Sequence, residues 1–299
     1  MFGPNVKADE RDFYYHHREE NFHIILQSLE TAFVEKFGLE DYNILFLTGS
    51  GTTANEAVIF SLAYNVECIF TDAEFGSRLR KMSSIHETSG LINIMQEDTD
   101  VDIVAYPYYE TSISRLNFAT TLVKPSDLVF LDMVSAFPYY LPPKGTAIWT
   151  TVSSKQLGAY PVLGIVAIHK DLNLDYFADQ DGSSLNILGH LKFRAKYETL
   201  VTPAIPLYYD LLQKIRTFDR EYLIKKINER RKKIIHRIGI DNIIGSGPVI
   251  TFKPLDELTP VAKEFNLYKS KAGFQIFLWS GTDNEYESFY RALERAKNG

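Results

Sequence analysis

Cysteine is nearly absent: Cys68 is the one thiol in 299 residues. A lone cysteine cannot close an intramolecular disulfide, and neither a CxxC pair nor a histidine cluster offers the spacing of a metal site. The seven histidines are therefore expected to bind no metal, and the chain to work in a reducing, cytoplasmic compartment. Excess positive charge is missing as well. Lys and Arg total 32 against 38 Asp and Glu, a formal net charge of -6. No nucleic-acid partner is expected, because phosphate recognition wants a basic face. No apolar run approaches membrane length, and Met1-Phe2-Gly3-Pro4-Asn5-Val6-Lys7 lacks the apolar core of a signal peptide. No membrane role is expected.

Ordinary core material is present, with 45% hydrophobic and 23% charged residues. That length and composition suit one large domain or two. Aromatics are plentiful, with 18 Tyr and 20 Phe, and some cluster: Tyr106, Tyr108 and Tyr109; Tyr139 and Tyr140; Tyr208 and Tyr209. Such clusters serve pockets and interfaces as readily as cores.

Along the chain, residues 1 to about 20 read as an arm that opens with a Gly3-Pro4 turn. Phe22, Ile25, Leu26, Leu29 and Phe33 then have helical spacing, in a helix over about 19–37. A strand at 43–47 enters Thr48-Gly49-Ser50-Gly51-Thr52-Thr53-Ala54, and a helix follows. Strand, glycine turn and helix start form a phosphate-binding geometry, because free backbone N–H groups and the positive dipole end face an anion. Strands are expected at 67–70, at 101–105 after a break near Thr99-Asp100, at 127–131 and at 162–168. Repeated βα alternation with motifs at strand C-terminal ends predicts a parallel or mixed sheet with a site along one edge. Periodicity fades over about 180–206. One long basic helix, bent near Thr217-Phe218-Asp219, is predicted over about 204–238, its Lys225-Lys226 and Arg230-Arg231-Lys232-Lys233 stretch reading as a solvated face. A small α+β unit closes the chain, with strands at 247–252 and 274–278 and helices at 259–265 and 283–296.

The chemistry centres on Ser153-Ser154-Lys155-Gln156-Leu157-Gly158. Alone, Lys155 reads as a solvated loop lysine. Asp132, ending the strand Asp127-Leu128-Val129-Phe130-Leu131-Asp132, changes that reading. A lysine for an imine and a carboxylate for a pyridinium nitrogen are the pair that pyridoxal phosphate (PLP) requires. A rival fits the same glycine turn: Gly49-x-Gly51-x-x-Ala54 matches the dinucleotide fingerprint. Asp72 then stands near the acidic position about 20 residues on. An NAD(P)-dependent Rossmann oxidoreductase is the alternative from a different class.

Taken together, these segments resemble the class V aminotransferases of the fold-type-I PLP enzymes, the group that holds serine–pyruvate (alanine–glyoxylate), aminoethylphosphonate and phosphoserine aminotransferases. Gly3-Pro4 and His17-Arg18 are similar to the family's opening. Ser50-Gly51-Thr52-Thr53-Ala54-Asn55-Glu56-Ala57 resembles its phosphate loop, and Phe75 in Glu74-Phe75-Gly76-Ser77-Arg78 stands where the family stacks an aromatic on the cofactor ring. Glu110-Thr111-Ser112 resembles its ETS stretch, Asp132-Met133-Val134-Ser135 its D-x-V-S segment, and Ser153 to Gly158 its S-x-K-x-L-G. Val201-Thr202-Pro203 resembles a segment that reaches the partner subunit's cofactor. The match covers most of residues 1 to about 210, and the tail in outline.

The resemblance implies a large, mostly parallel α/β sheet domain with helices on both faces over 21–210, and a small C-terminal α+β domain over 211–299. It implies a homodimer with active sites at the subunit interface. Lys155 becomes the imine lysine and Asp132 the pyridinium partner. Ser50, Gly51, Thr52, Thr53, Ser153 and the partner's Thr202 would anchor phosphate. Thr111 would meet the phenolic oxygen, with Phe75 and Val134 on the two ring faces. The implied reaction moves an amino group between an amino donor and a 2-oxo acid or related carbonyl, and a PLP-dependent lyase or decarboxylase is the alternative on the same fold. One departure stands out: Gln275 occupies the place of the family's carboxylate-binding arginine, so Arg18 and Arg115 are further candidates for the substrate anion.

Overall fold

A computed structural model of the chain describes residues 16–88, 103–119, 122, 127–255 and 257–298. Most of the expected arm, with Gly3-Pro4, and the break near Thr99-Asp100 lie outside the described residues.

Apolar β-branched runs become the strands of a six-stranded sheet. In chain order the elements of the large unit are α1 (Glu20–Phe37), β1 (Tyr42–Thr48), α2 (Gly51–Ser61), β2 (Val66–Cys68) and α3 (Glu74–Thr88). Then come β3 (Ile103–Pro107), a small hairpin of β4 (Tyr109–Glu110) and β5 (Arg115–Leu116), β6 (Leu128–Asp132), β7 (Ile148–Val152) and β8 (Leu163–His169). The strand order is β1-β8-β7-β6-β3-β2. Pairing is parallel from β2 through β3 and β6 to β7, whereas β8 runs antiparallel to both β7 and β1. The sheet is thus mixed and mostly parallel. Its four inner strands are buried along nearly their whole length, as a sheet covered on both faces requires.

Those covers are two separate apolar layers. On one face α1 packs with α5 (Ile205–Thr217), and Phe22, Leu29, Phe33, Phe46, Phe137 and Trp149 form an aromatic-rich core. Phe33 sits at its centre, fully buried, with ring centroids of Phe37, Phe46 and Phe137 between 5.1 and 5.9 Å away. On the other face α2, α3 and α4 (Ile187–Arg194) cover Leu45, Leu47, Phe130, Ile148 and Val166.

The expected long bent helix is two helices. α5 ends at Thr217, and α6 (Arg220–Ile238) begins afresh with Asp219 as N-cap, its carboxylate accepting from the Tyr222 N–H at 2.9 Å. A capping aspartate offers the backbone a better partner outside the helix than within it. The stretch without clear periodicity, in turn, contains α4, capped by Asn186. Eight residues are too few for a readable apolar stripe.

The small unit continues with β9 (Ile243–Ile244), β10 (Val249–Phe252), α7 (Leu258–Glu264), β11 (Tyr268–Ser270), β12 (Gly273–Phe277) and α8 (Asp283–Asn298). Its antiparallel sheet runs β11-β12-β10-β9, and α6, α7 and α8 share an apolar core against it. The basic face of α6 is only partly solvated. Lys225, Lys232 and Lys233 are exposed, but Arg230 is buried, 3.7 Å over the Tyr286 ring. It donates to the carbonyls of Leu278, Ser280 and Gly281 and to Asp283. A guanidinium's fork of donors suits several carbonyls at once.

Truncating Phe33 to Ala removes the hub of the first aromatic layer. It should cost about 3–5 kcal/mol, measured as a lowered urea midpoint with an unchanged denaturant slope.

Candidate active site

The site forms where β6 and β7 end. Asp132, the last residue of β6, points a buried carboxylate into the protein. One oxygen accepts the Val134 N–H at 2.9 Å and the other accepts the Asn55 amide at 2.8 Å. Thr150, buried on β7, donates its hydroxyl to the Asn55 carbonyl. This fixes the Asn55 amide with its NH2 toward the carboxylate. Desolvation by burial raises the Asp132 pKa, opposed by those two hydrogen bonds and by the charges of Lys155 and Arg78.

Lys155 lies just past β7, and its Nζ donates to the Ser135 hydroxyl at 2.7 Å. It stands 5.5 Å from the centroid of the Phe75 ring. Burial lowers its pKa, and Asp132 opposes that shift. The lysine loop is held from beneath. Gln156 donates to the Ser135 carbonyl at 2.7 Å and accepts the Tyr139 N–H at 2.9 Å. The Ser153 hydroxyl donates to the Tyr160 carbonyl at 2.6 Å and accepts the Leu163 N–H at 3.3 Å. Ser153 therefore shapes the loop with both capacities of its hydroxyl.

Phe75 is seated by an acid the sequence shows only as part of a motif. Glu110 is fully buried. Its carboxylate accepts the N–H groups of Phe75 (3.1 Å) and Gly76 (3.0 Å), and those of Ser112 backbone and hydroxyl. It thereby caps α3 from another segment, negative charge against the positive helix end. Gly76 is needed there, since a Cβ would lie 2.0 Å from the Phe70 carbonyl oxygen. Next to Glu110, the Thr111 hydroxyl is buried and has no partner among the described residues.

At the start of α2, Ser50 and Thr53 form a reciprocal capping box, as the pattern of N-cap hydroxyl and N3 partner allows. Thr52 accepts from Arg78 Nη1 at 3.4 Å. Gly51 lies against Val134, where a Cβ would approach a valine methyl to 2.5 Å.

The remaining substrate candidates are engaged with other protein groups. Arg115 makes a bidentate pair with Asp72 at 2.6 and 2.7 Å and also donates to Asn117. Arg18 is half exposed, pairs with Glu198 at 3.5 Å and lies over the Phe193 ring. Gln275, buried on β12, donates to the Thr111 carbonyl at 2.7 Å and to the Thr251 hydroxyl at 2.8 Å. Thr202 is exposed ahead of α5. Asn55, Ser135, Glu110 and Arg78 are the neighbours that motif reading did not single out. A buried asparagine inside α2 had a signal, because asparagine is a poor helix former.

No family model matches the sequence. An uncharacterized aminotransferase of Helicobacter pylori strain J99 is 24% identical over 294 residues, which span 87% of this chain and 78% of that protein. Among solved structures, a subgroup IV aspartate aminotransferase of Thermus thermophilus superposes with a TM-score of 0.77 at 18% identity, covering 95% of this chain and 92% of that one. A phosphoserine aminotransferase of Cytophaga hutchinsonii gives 0.72 at 17% identity, covering 94% and 91%. The fold is that of the fold-type-I aminotransferases.

That fold overturns the dinucleotide alternative. A Rossmann sheet sets the strand bearing the ribose acid beside the strand before the glycine turn, whereas in this fold-type-I sheet β1 and β2 are opposite edges. Asp72 is engaged by Arg115.

Replacing Glu110 with Ala leaves the Phe75 and Gly76 amides without their acceptor. It should cost about 2–3 kcal/mol, and hydrogen exchange should show those two amides losing protection first. Lys155 gives a pH test. Its folded pKa lies below the ordinary lysine value of about 10.4, so its contribution to stability is present above that value and is lost as pH falls through the depressed one. In cofactor-free protein, wild type should lose stability relative to Lys155→Met as pH falls below about 10. A difference that stays flat with pH would mean the ammonium is not desolvated.

Proposed function

We propose that this protein is a PLP-dependent aminotransferase of the class V type, working as a homodimer in the cytoplasm, and that Lys155 and Asp132 are its catalytic residues. The carrying observation is the half-buried Lys155 amine, coupled electrostatically to the buried Asp132 carboxylate and lying beside the Phe75 ring. A helix start faced by hydroxyls, an aromatic face, a buried carboxylate and a half-buried amine are the donor set that this cofactor needs. The unpartnered Thr111 hydroxyl is a further fit, since buried hydroxyls are seldom left without a partner. The Helicobacter pylori relative, itself described as an aminotransferase, points the same way.

When bound, PLP supplies an aldehyde that condenses with amines and a ring that accepts electron density from the substrate carbon. Everything else falls to the chain. Asp132, whose carboxylate is held by the Val134 N–H and the Asn55 amide against the desolvation that raises its pKa, would pair with the ring nitrogen. Phe75 and Val134 would confine the ring, and Gly51, Thr52 and the partner's Thr202 would receive the phosphate, the Ser50 and Thr53 hydroxyls being taken up by their capping box. The Lys155 Nζ, once free, would take the proton from the substrate carbon and deliver it to the cofactor's C4′ carbon, across the amino nitrogen. Its depressed pKa favours the neutral amine which that step requires. Ser135 would steady this nitrogen through its 2.7 Å contact.

The transamination reading is favoured over a desulfurase reading by Cys68. It sits on β2, and burial pushes its thiol up to about 12, so it supplies no thiolate at neutral pH.

Purified protein should carry a visible absorbance band lost on borohydride treatment, with the reduced adduct on the Lys155 peptide by mass spectrometry. Lys155→Ala should lose band, adduct and more than about 99% of turnover. Full activity in that variant, or a colourless protein that takes up no PLP, would refute the assignment.

A further inference from the structure

We propose that Arg78 is a phosphate-binding residue of this site, reaching the start of α2 from one turn behind Phe75 on α3; the proposal rests on the PLP reading above. The turn itself has few free side-chain donors. The Ser50 and Thr53 hydroxyls are engaged with each other and with each other's backbone N–H, 3.1 to 3.3 Å apart. Thr52 is the hydroxyl outside that box, and its oxygen accepts from Arg78 Nη1 at 3.4 Å. Its own proton stays available to an anion beside the same guanidinium. No lysine or arginine occurs between Tyr42 and Ser77, so the turn has no cation of its own.

Arg78 reaches it by helix geometry. Residues three apart share a helix face, and the guanidinium lies 5.2 Å from the Phe75 ring centroid. One cation therefore touches both the aromatic wall and the glycine turn. Glu74, one turn earlier, accepts from Nη2 at 3.3 Å and holds the side chain in that position, with both partners nearly half exposed. A phosphate monoester carries about -1.5 to -2 charges near neutral pH. Backbone N–H groups and a helix dipole offset only part of that, and a guanidinium adds charge-assisted hydrogen bonds that neutral donors do not match.

The test compares PLP with pyridoxal, which lacks the phosphate, on cofactor-free wild type, Arg78→Met and Arg78→Lys. Dissociation constants are read from tryptophan fluorescence quenching, and folding from circular dichroism and melting temperature. Arg78→Met should weaken PLP about tenfold or more and leave pyridoxal unchanged, with Arg78→Lys in between. Equal weakening of both ligands would overturn the proposal, because Arg78 would then act through Phe75 or the fold. Unchanged PLP binding in Arg78→Met would overturn it as well. If wild type bound neither ligand, the PLP reading and this proposal would fall together, a result distinct from any effect confined to the variants.

Discussion

Burial of the Asp132 carboxylate is the constraint on which the site's architecture turns. An unpaired carboxylate in the interior costs several kcal/mol, and the sheet edge supplies three separate compensations. The Val134 N–H comes from the next turn of chain, the Asn55 amide from α2, and the opposing charge from Lys155 beyond β7. Each partner is itself fixed by another element. Thr150 sets which way the Asn55 amide faces, and Ser135 anchors the lysine nitrogen. Segments up to a hundred residues apart must therefore be in register before the carboxylate can be buried cheaply. Strands β6 and β7 achieve this by parallel pairing, Asp132 lying opposite Thr150.

The same economy appears at Phe75. An aromatic on a loop would sample several rotamers, and a loose ring makes a poor wall. Glu110 removes that freedom by accepting the first N–H groups of α3 from across a gap in sequence. Gly76 permits the helix to start against the Phe70 carbonyl, where any side chain would collide. Two buried acids thus do different work. Glu110 holds a helix, and Asp132 is held at the end of β6 beside Lys155.

The sequence made the strands, the glycine turn and the Lys155–Asp132 pair legible because each leaves a local trace: a β-branched run, a glycine-hydroxyl turn, a charged residue ending an apolar strand. The helix break is harder to see, because only Phe218 and the capping Asp219 separate α5 from α6. Capping acids that act across sequence, as Glu110 does, leave no local trace. Neither does the fate of a hydroxyl. Ser50, Thr53 and Ser153 read alike as donors facing a ligand, yet the first two close a capping box and the third ties down the lysine loop. Basic residues carry the same ambiguity, since Arg230 and Lys225 stand on one helix, one buried beneath carbonyls and the other in water.

Gln275 shows how far a side chain's surroundings can settle its chemistry. Its Nε2 meets the Thr111 carbonyl, an acceptor only, so the nitrogen end of the amide must face that way. The Thr251 hydroxyl takes the second N–H and is joined to Ser114 at 2.7 Å. The amide thus pins β12 and β10 of the small unit to the segment that carries Thr111 and Glu110. An arginine here would bring a charge to a pocket whose acceptors on hand are neutral, and the desolvation of that charge would have to be met by an incoming anion. A glutamine meets the same acceptors with no such debt. The nitrogen end of the amide is thus fully used at the junction between the two units, whereas its Oε1, like the nearby Thr111 hydroxyl, is buried without a partner among the described residues.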